Sequence, residues 1–219
     1  MLSSFGVTGF KSLSSLERVP LAPLTLLFGP NAAGKSNFID ALQVVSRIAT
    51  ANTLNEALGP PVRGLPLEAF TLPQGGLAEQ LERTSQESLP RIRFAAETQQ
   101  QDTKLLYEIE VAIAPSSGTL SVQDEMLRRL NAQGKDQGKP IIELDESRTK
   151  LRVRRKSKPA HPWEELVGLN HSLLSNNRYS GKEYAAIEGM RSELRGFRSY
   201  FLDPRTAMRS AQPPQDVSD

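Results

Sequence analysis

The chain has 219 residues, of which 38% are hydrophobic and 24% are charged, and its formal net charge is +2. This composition predicts a globular protein of one large domain or two small ones, and so small a net charge does not by itself indicate a nucleic-acid partner. The absence of cysteine excludes disulfide scaffolds and thiolate metal sites. No stretch approaches the roughly 20 apolar residues of a membrane span. No secretory signal is visible either, so we expect a cytoplasmic protein with no membrane partner.

Residues 1–56 predict a core of strands and a helix. Residues 5–10 alternate apolar and small side chains and predict an opening strand that turns near Lys11 and Ser12. Residues 24–28, LTLLF, form a short apolar run that is typical of a strand buried in a sheet with both faces covered. From Lys35 onward, apolar residues recur every three or four positions and predict an amphipathic helix.

A glycine-rich loop joins the apolar run to this helix. Residues 29–36, GPNAAGKS, fit the phosphate-binding pattern G-x-x-x-x-G-K-[ST] at every fixed position, and we call them the P-loop. The glycines let the backbone approach a phosphate closely, and the loop amides and the start of the helix form an anion site. Lys35 is expected to neutralise the β- and γ-phosphates of a nucleotide, and the Ser36 hydroxyl to ligate Mg²⁺. The residues predicted to surround the phosphates are Gly29, Pro30, Asn31, Ala32, Ala33, Gly34, Lys35 and Ser36.

The remainder of the chain predicts a long loop, a β subdomain and a helical return to the core. Residues 57–90 are rich in Pro and Gly and predict a loop. Strand-like segments separated by turn signals predict an antiparallel β subdomain over 91–160, and the third is expected to turn into a short helix. That short helix would contain Met126, Leu127 and Leu130.

Residues 161–203 predict a helix followed by strand-like residues 199–204. The polar, Pro-rich residues 204–219 are the expected truncation point. The helix is expected to bury Tyr184, Ile187, Met190, Leu194 and Phe197.

The stretch from GFKSL to LTLLFGPNAAGKSNFIDAL resembles the start of the SMC/RecF/OLD-like branch of ABC-type P-loop ATPases, a group that includes bacterial proteins termed AAA family ATPases. The likeness is specific over residues 5–45, although Ala32 and Ala33 stand where the family often has Gly and Ser. It implies an α/β fold, namely the N-terminal lobe of an ABC-type head with an antiparallel β subdomain. The matching residues are Asn31, Lys35, Ser36, Asn37, Ala41 and Leu42.

This resemblance also implies ligands and partners. ATP would be the cofactor, and a second ATPase head, in a homodimer or as a complementary C-terminal lobe, would enclose it. A role in DNA metabolism or phage defence is then expected. In the family, the regions that match Lys11, Ser12 and Asn37 lie near the nucleotide, and a loop Gln, for which Gln74 is the candidate, senses Mg²⁺ and water. For Lys11, Ser12 and Gln74, a plain turn is the alternative interpretation.

Hydrolysis by such a head needs an acidic pair at the end of an apolar strand. Asp145-Glu146 is one candidate, although Glu143 interrupts the apolar run before it. Asp203, which follows Ser180 at a spacing similar to that of the ABC signature, is another, although Pro204 stands where the second acid belongs. We favour the interpretation that the lobe with these motifs is not in this chain. The catalytic residues therefore stay unknown, and hydrolysis is expected only when that lobe is supplied.

A basic segment at residues 148–158 suits the backbone of a nucleic acid, because alternate residues of a strand share one face. The alternative is a solvated strand edge protected by charge. Two other functions also stay open, a free-standing P-loop phosphotransferase and a non-hydrolysing DNA-binding module. The residues expected to contact DNA are Arg148, Lys150, Arg152, Arg154, Arg155, Lys156 and Lys158.

Overall fold

The computed structural model describes residues 1–73, 76, 79, 89–100 and 103–200. Within these residues the strands are β1 (Leu2–Phe10), β2 (Leu13–Pro20), β3 (Arg91–Gln100), β4 (Thr103–Ala114), β5 (Thr119–Leu130), β6 (Ile142–Leu144), β7 (Lys150–Val153) and β8 (Trp163–Leu166). The α-helices are α1 (Lys35–Ile48), α2 (Leu54–Leu58) and α3 (Ala185–Arg195), and 3₁₀ turns lie at Pro66–Ala69 and Lys182–Tyr184.

All of these strands belong to one antiparallel sheet with the order β2-β1-β3-β4-β5-β6-β7-β8. The antiparallel arrangement predicted for residues 91–160 is thus observed. The same sheet also includes β1, β2 and β8, which lie outside that range. β1, which the sequence placed with the core of residues 1–56, is paired on one edge with β2 and on the other with β3. The same sheet therefore runs through both predicted segments, and the position of a domain boundary stays a prediction.

The short helix expected after residue 123 does not form. β5 continues as a strand to Leu130, and each of its residues from Glu125 to Leu130 has a partner on β4. The long antiparallel ladder with β4 supplies hydrogen bonds and cross-strand packing all along this stretch. These tertiary contacts override the helical spacing of Met126, Leu127 and Leu130.

The apolar run at residues 24–28 was predicted to be a buried strand, and this prediction is wrong for the described structure. No strand is assigned there, and the run is largely exposed: Leu24 at 78%, Leu26 at 77% and Phe28 at 93%. The physical reason is that no described strand pairs with it. β1 already has a neighbour on each edge, so the sheet offers no place beside β1.

Aromatic contacts attach α1 to the sheet. Phe38 of α1 meets Phe5 of β1 edge to face, with ring centroids 5.6 Å apart. Phe94 of β3 stacks on Phe5 at 6.4 Å and contacts Phe10 at 6.0 Å. All four rings are buried, so this aromatic cluster fixes the helix that follows the P-loop.

The second predicted helix is observed as α3, and its apolar face is buried as expected through Ile187, Met190 and Leu194. Three of the described elements, β2, α2 and β8, were not predicted from the sequence. Ser199 and Tyr200 are irregular, and the rest of the strand-like stretch at 199–204 lies outside the described residues. Among the described residues, no helix is both long and apolar enough to cross a membrane.

A buried carboxylate holds the chain segment before α3 against the sheet. Glu125 of β5 is fully buried and accepts hydrogen bonds from the Tyr107 hydroxyl at 2.9 Å and the Ser172 hydroxyl at 2.7 Å. It also accepts from the amides of Leu173 at 2.8 Å and Leu174 at 3.0 Å. Burial raises the pKa of Glu125, although these donors oppose the rise. The carboxylate thus connects two central strands to a loop whose leucines belong to the core.

Replacing this carboxylate should destabilise the protein. We expect Glu125→Gln to lower the free energy of unfolding by about 1–3 kcal/mol, because the amide nitrogen cannot accept and leaves a buried donor unpaired. Urea unfolding followed by circular dichroism measures the difference. The matched control is Glu146→Gln, an exposed position where we expect a change within about 0.5 kcal/mol. An equal loss in both variants would contradict the anchoring role of Glu125.

Candidate functional site

The P-loop adopts a conformation that depends on small residues. Gly29, Ala32 and Gly34 have φ of 149°, 64° and 88°, all in the region that favours glycine. Ala32 is the one of these with a Cβ, and such a conformation is costly for it. It stands at a position where the family that this stretch resembles often has glycine. The loop therefore holds a residue with a Cβ in a conformation that glycine adopts more easily.

The start of α1 provides hydrogen-bond donors. α1 begins at Lys35, and its N-cap, Gly34, makes no side-chain hydrogen bond. The first amides of an α-helix have no acceptor within the helix, and the helix dipole adds partial positive charge at the same end. Ser36 is exposed, so its hydroxyl is accessible beside these amides. This geometry suits an anion and a metal ion bound to that anion.

Lys35 folds back over the loop that precedes it. Its Nζ donates to the carbonyl oxygens of Gly29 at 2.9 Å and Pro30 at 2.7 Å. The ammonium group is thus held at the loop itself rather than extended into solvent. Its position adds a full positive charge to the group of donors at the start of α1.

The turn between β1 and β2 lies directly against the P-loop. Asn37 Nδ2 donates to Ser12 Oγ at 2.8 Å. A Cβ built on Gly34 would lie 3.2 Å from Leu13 Cδ2 and 3.5 Å from Ser12 Oγ. The structure therefore brings Ser12 and Asn37 beside the loop, as the resemblance implied, and whether they contact a nucleotide stays a prediction.

Lys11 is engaged by a residue that the sequence analysis missed. Lys11 Nζ contacts Asp40 of α1 at 2.7 Å and also donates to the carbonyl of Arg63 at 2.9 Å. The Arg63 guanidinium contacts the same carboxylate at 2.8 Å. This cluster, which we call the Asp40 clasp, joins the β1–β2 turn, α1 and the loop after α2. A carboxylate within the apolar stripe of α1 was the available sequence signal.

The two cations of the clasp keep Asp40 ionised. Burial alone raises the pKa of Asp40, but hydrogen bonds from Arg63 and Lys11, with the attraction of their charges, outweigh it. The net result is a pKa below the usual value of the group. Because Lys11 makes these contacts, its charge is already compensated before any ligand binds.

Neither candidate for the hydrolytic acid is placed beside the P-loop by the described residues. Asp145 caps the hairpin between β6 and β7, where it accepts from the amides of Thr149 and Lys150. A hydrogen bond from Ser147, with these amides, lowers the pKa of Asp145 to about 2. It therefore has a structural role in a turn. Gln74 and Asp203 lie outside the described residues.

Acids on neighbouring strands compensate three of the seven cations of the basic segment. Lys150 and Arg152 both contact the carboxylate of Glu164, at 2.7 and 3.2 Å. Arg154 binds the carboxylate of Glu143. These three cations do not form the free charged face that the two-residue period suggests. Of the other members, Arg148 lies in the β6–β7 hairpin, Arg155 lies against a Trp163 ring, and Lys156 and Lys158 are exposed.

Comparison with known proteins identifies a family for this chain. Residues 24–154, more than half of the chain, match the family model described as "AAA domain, putative AbiEii toxin, Type IV TA system". The match includes the P-loop, α1 and the sheet from β3 to β7. No curated protein and no solved structure matches the chain.

The Asp40 clasp predicts a pH-dependent stability. We expect Asp40→Asn to lower the free energy of unfolding by about 1–3 kcal/mol at neutral pH, because it leaves Lys11 without its counter-ion. The pKa of Asp40 is lower in the folded state than in the unfolded state. Asp40 therefore contributes to the free energy of unfolding at pH values above its unfolded-state pKa, and this contribution is lost as the pH falls through its folded-state pKa. The difference in free energy of unfolding between the wild type and Asp40→Asn should therefore narrow below about pH 4.

Thermal unfolding of both proteins over a pH series measures this gap. Asp136→Asn serves as the control, because Asp136 is an exposed carboxylate that also contacts an arginine. A gap that stays constant from neutral to acid pH would contradict the ionised state of Asp40.

Proposed function

We propose that this chain, which belongs to the AAA domain family whose model it matches, is an ATP-operated switch. In this switch, Mg²⁺-ATP bound at the P-loop drives association with a second ATPase head or lobe. Membership establishes the coarser statement, that this is an AAA-type ATP-binding domain with a P-loop. The metal, the partner and the switching step form the proposal. Roles in phage defence or DNA metabolism stay predictions.

The observation that carries the proposal is the arrangement of donors at the start of α1. The Gly34 cap leaves the first amides available, and the Lys35 ammonium lies at the loop that they face. In bound ATP, Lys35 would exchange the carbonyls of Gly29 and Pro30 for oxygens of the β- and γ-phosphates, which carry more negative charge. The Ser36 hydroxyl would ligate the Mg²⁺ that these phosphates hold.

Exposed apolar side chains support the association step. Residues 24–28 lead directly into the P-loop, and Leu26 and Phe28 are more than three-quarters exposed. A run of large apolar side chains in solvent marks an interaction surface in a folded protein. In a P-loop motif, the segment before the loop is a strand. A second head or lobe that offers strand edges could therefore pair with residues 24–28 by strand addition.

The proposed division of roles also concerns hydrolysis. The described residues place no acidic pair beside Lys35 and Ser36, since Asp145 serves a hairpin. We propose that the chain alone binds ATP and that the acid that polarises water comes from the associating lobe. Such a division links hydrolysis to association.

Nucleotide binding should depend on Lys35. We expect Lys35→Ala to weaken the binding of a fluorescent ATP analogue with Mg²⁺ by about 10–100-fold, because a charge-assisted hydrogen bond contributes about 1.5–3 kcal/mol. Fluorescence anisotropy titration measures this change.

The control is Lys135→Ala, which removes an exposed lysine from the loop after β5 and should leave the affinity within about twofold. Ser36→Ala should reduce the dependence of binding on Mg²⁺. The proposed nucleotide site is wrong if the wild type does not bind at millimolar ligand, or if Lys35→Ala binds like the wild type.

Association should depend on residues 24–28. We expect wild-type chains to sediment as larger species when Mg²⁺-ATP is added, and Leu26→Asp to abolish this shift, because a carboxylate opposes burial of the segment. Sedimentation velocity measures both states. Leu65→Asp changes another exposed leucine and should keep the shift. A chain that stays monomeric in Mg²⁺-ATP, or an equal effect of Leu65→Asp, would refute pairing between two copies of this chain.

A further inference from the structure

A cavity of about 330 Å³ lies where the end of β5, the β5–β6 connection, the residues after β7 and the start of α3 meet. We call it the basic cavity. Its wall carries five cationic side chains and a single carboxylate, that of Glu183. The cationic residues are Arg129, Lys139, Arg154, Arg155 and Lys156.

Most of this positive charge is uncompensated. Within the described part of the chain, Arg154 has an ion pair, with Glu143, whereas the other four cations have none. The carboxylate of Glu183 accepts from the amide of Ser157 at 3.0 Å and from its hydroxyl at 2.6 Å. These hydrogen bonds from Ser157 lower the pKa of Glu183, and the charges of Arg155 and Lys156 add to the effect, although neither forms an ion pair with it among the described residues. Among the described residues, the wall therefore has more cations than acidic partners.

One of these cations also has a donor without an acceptor. Arg155 Nε is buried and makes no hydrogen bond. Its guanidinium lies 5.4 Å from the centroid of the Trp163 ring, a contact that holds the group in place. Buried donors are nearly always paired in proteins, so an unpaired one on a cavity wall needs an explanation. The guanidinium that lines the cavity is therefore not saturated by acceptors from the described residues.

The start of α3 adds to the positive field. Ala185 and Ala186, the first residues of α3, line the cavity. The N-cap, Tyr184, makes no side-chain hydrogen bond, so the first amides of α3 lack a side-chain acceptor. The positive end of the helix dipole therefore lies at the same wall as the four uncompensated cations.

The cavity also has apolar wall surface and adjoins two further cavities. Pro140, Ile141 and Pro159 contribute apolar surface. One adjoining cavity shares Arg129 with it, and another shares Lys139 and Pro159. The volume falls within the range of small-molecule sites, about 300–1,000 Å³. Cations for a phosphate, apolar walls for a ring and open ends suit a nucleotide, whether it is free or part of a strand.

We propose that the basic cavity binds the phosphate of a second nucleotide ligand, at a site separate from the P-loop. The P-loop lies against the turn between β1 and β2, whereas the cavity lies at β5 and beyond, with β3 and β4 between them in the sheet. We place the phosphate site in this cavity and not on the strand face of the basic segment, because Glu164 and Glu143 already bind three of the cations of that segment.

The test uses the full chain with Lys35→Ala, so that binding at the P-loop is suppressed. The probes are a fluorescent single-stranded DNA oligonucleotide and a fluorescent ATP analogue, each titrated over a salt series. We expect combined Arg129→Gln, Lys139→Gln and Lys156→Gln to weaken binding of at least one probe by tenfold or more. With the oligonucleotide, the salt slope should fall by about 0.7 for each phosphate contact removed.

Lys150→Gln is the matched control, because it makes the same chemical change at a lysine that Glu164 already binds. It should change affinity by less than about twofold. If the combined variant unfolds early in a thermal melt, Lys139→Gln alone, at an exposed position, serves in its place.

The outcomes distinguish the two sources of phosphate. A loss seen with the oligonucleotide identifies a nucleic-acid strand, and a loss seen only with the ATP analogue identifies a free nucleotide. The proposal is overturned if neither probe binds the Lys35→Ala chain, or if Lys150→Gln weakens binding as much as the cavity variants do. Because this test is made without a working P-loop, it is independent of the proposed switch.

Discussion

The packing of Phe38 against Phe5 is the contact on which the P-loop depends. α1 begins immediately after the loop, so the position of α1 sets the direction in which its first amides point. The edge-to-face contact with β1 and the stack of Phe94 behind it fix that direction. The Asp40 clasp acts at the same interface, because it ties α1 to the turn between β1 and β2. A site made of backbone donors needs this rigidity, since its donors cannot reorient independently.

The same packing leaves residues 24–28 without a partner. β1 is paired on both edges, and α1 covers the aromatic cluster, so the chain between β2 and α1 runs outside the sheet. Fully burying a leucine or phenylalanine stabilises by about 1.5–3 kcal/mol, and this segment holds four such side chains in partial or full exposure. The free energy that its burial would release is the physical basis of the association that we propose. The P-loop and the apolar segment are contiguous in the chain, so the proposed association would take place directly beside the proposed nucleotide site.

Charge in this protein is arranged by pairs that form between strands. Glu164 of β8 compensates Lys150 and Arg152 of β7, and Glu143 of β6 compensates Arg154. Cations from other parts of the chain, such as Arg129 and Lys139, have no ion-pair partner among the described residues and meet at the basic cavity. A count of basic residues along the sequence cannot show which of them already have counter-ions, so by itself it does not locate a surface for an anionic partner.

The sequence by itself determined the P-loop, α1, α3 and the antiparallel character of residues 91–160. Each of these depends on local rules: fixed glycines and a lysine beside a helix start, apolar residues at helical spacing, and alternation between turns. Tertiary structure alone decided that residues 24–28 stay outside the sheet, that β5 extends to Leu130, and that Lys11 binds Asp40. These outcomes depend on which strand edges and counter-ions are brought together from distant parts of the chain. A periodic pattern records which side chains prefer burial, but the neighbours that bury or neutralise them exist only after folding.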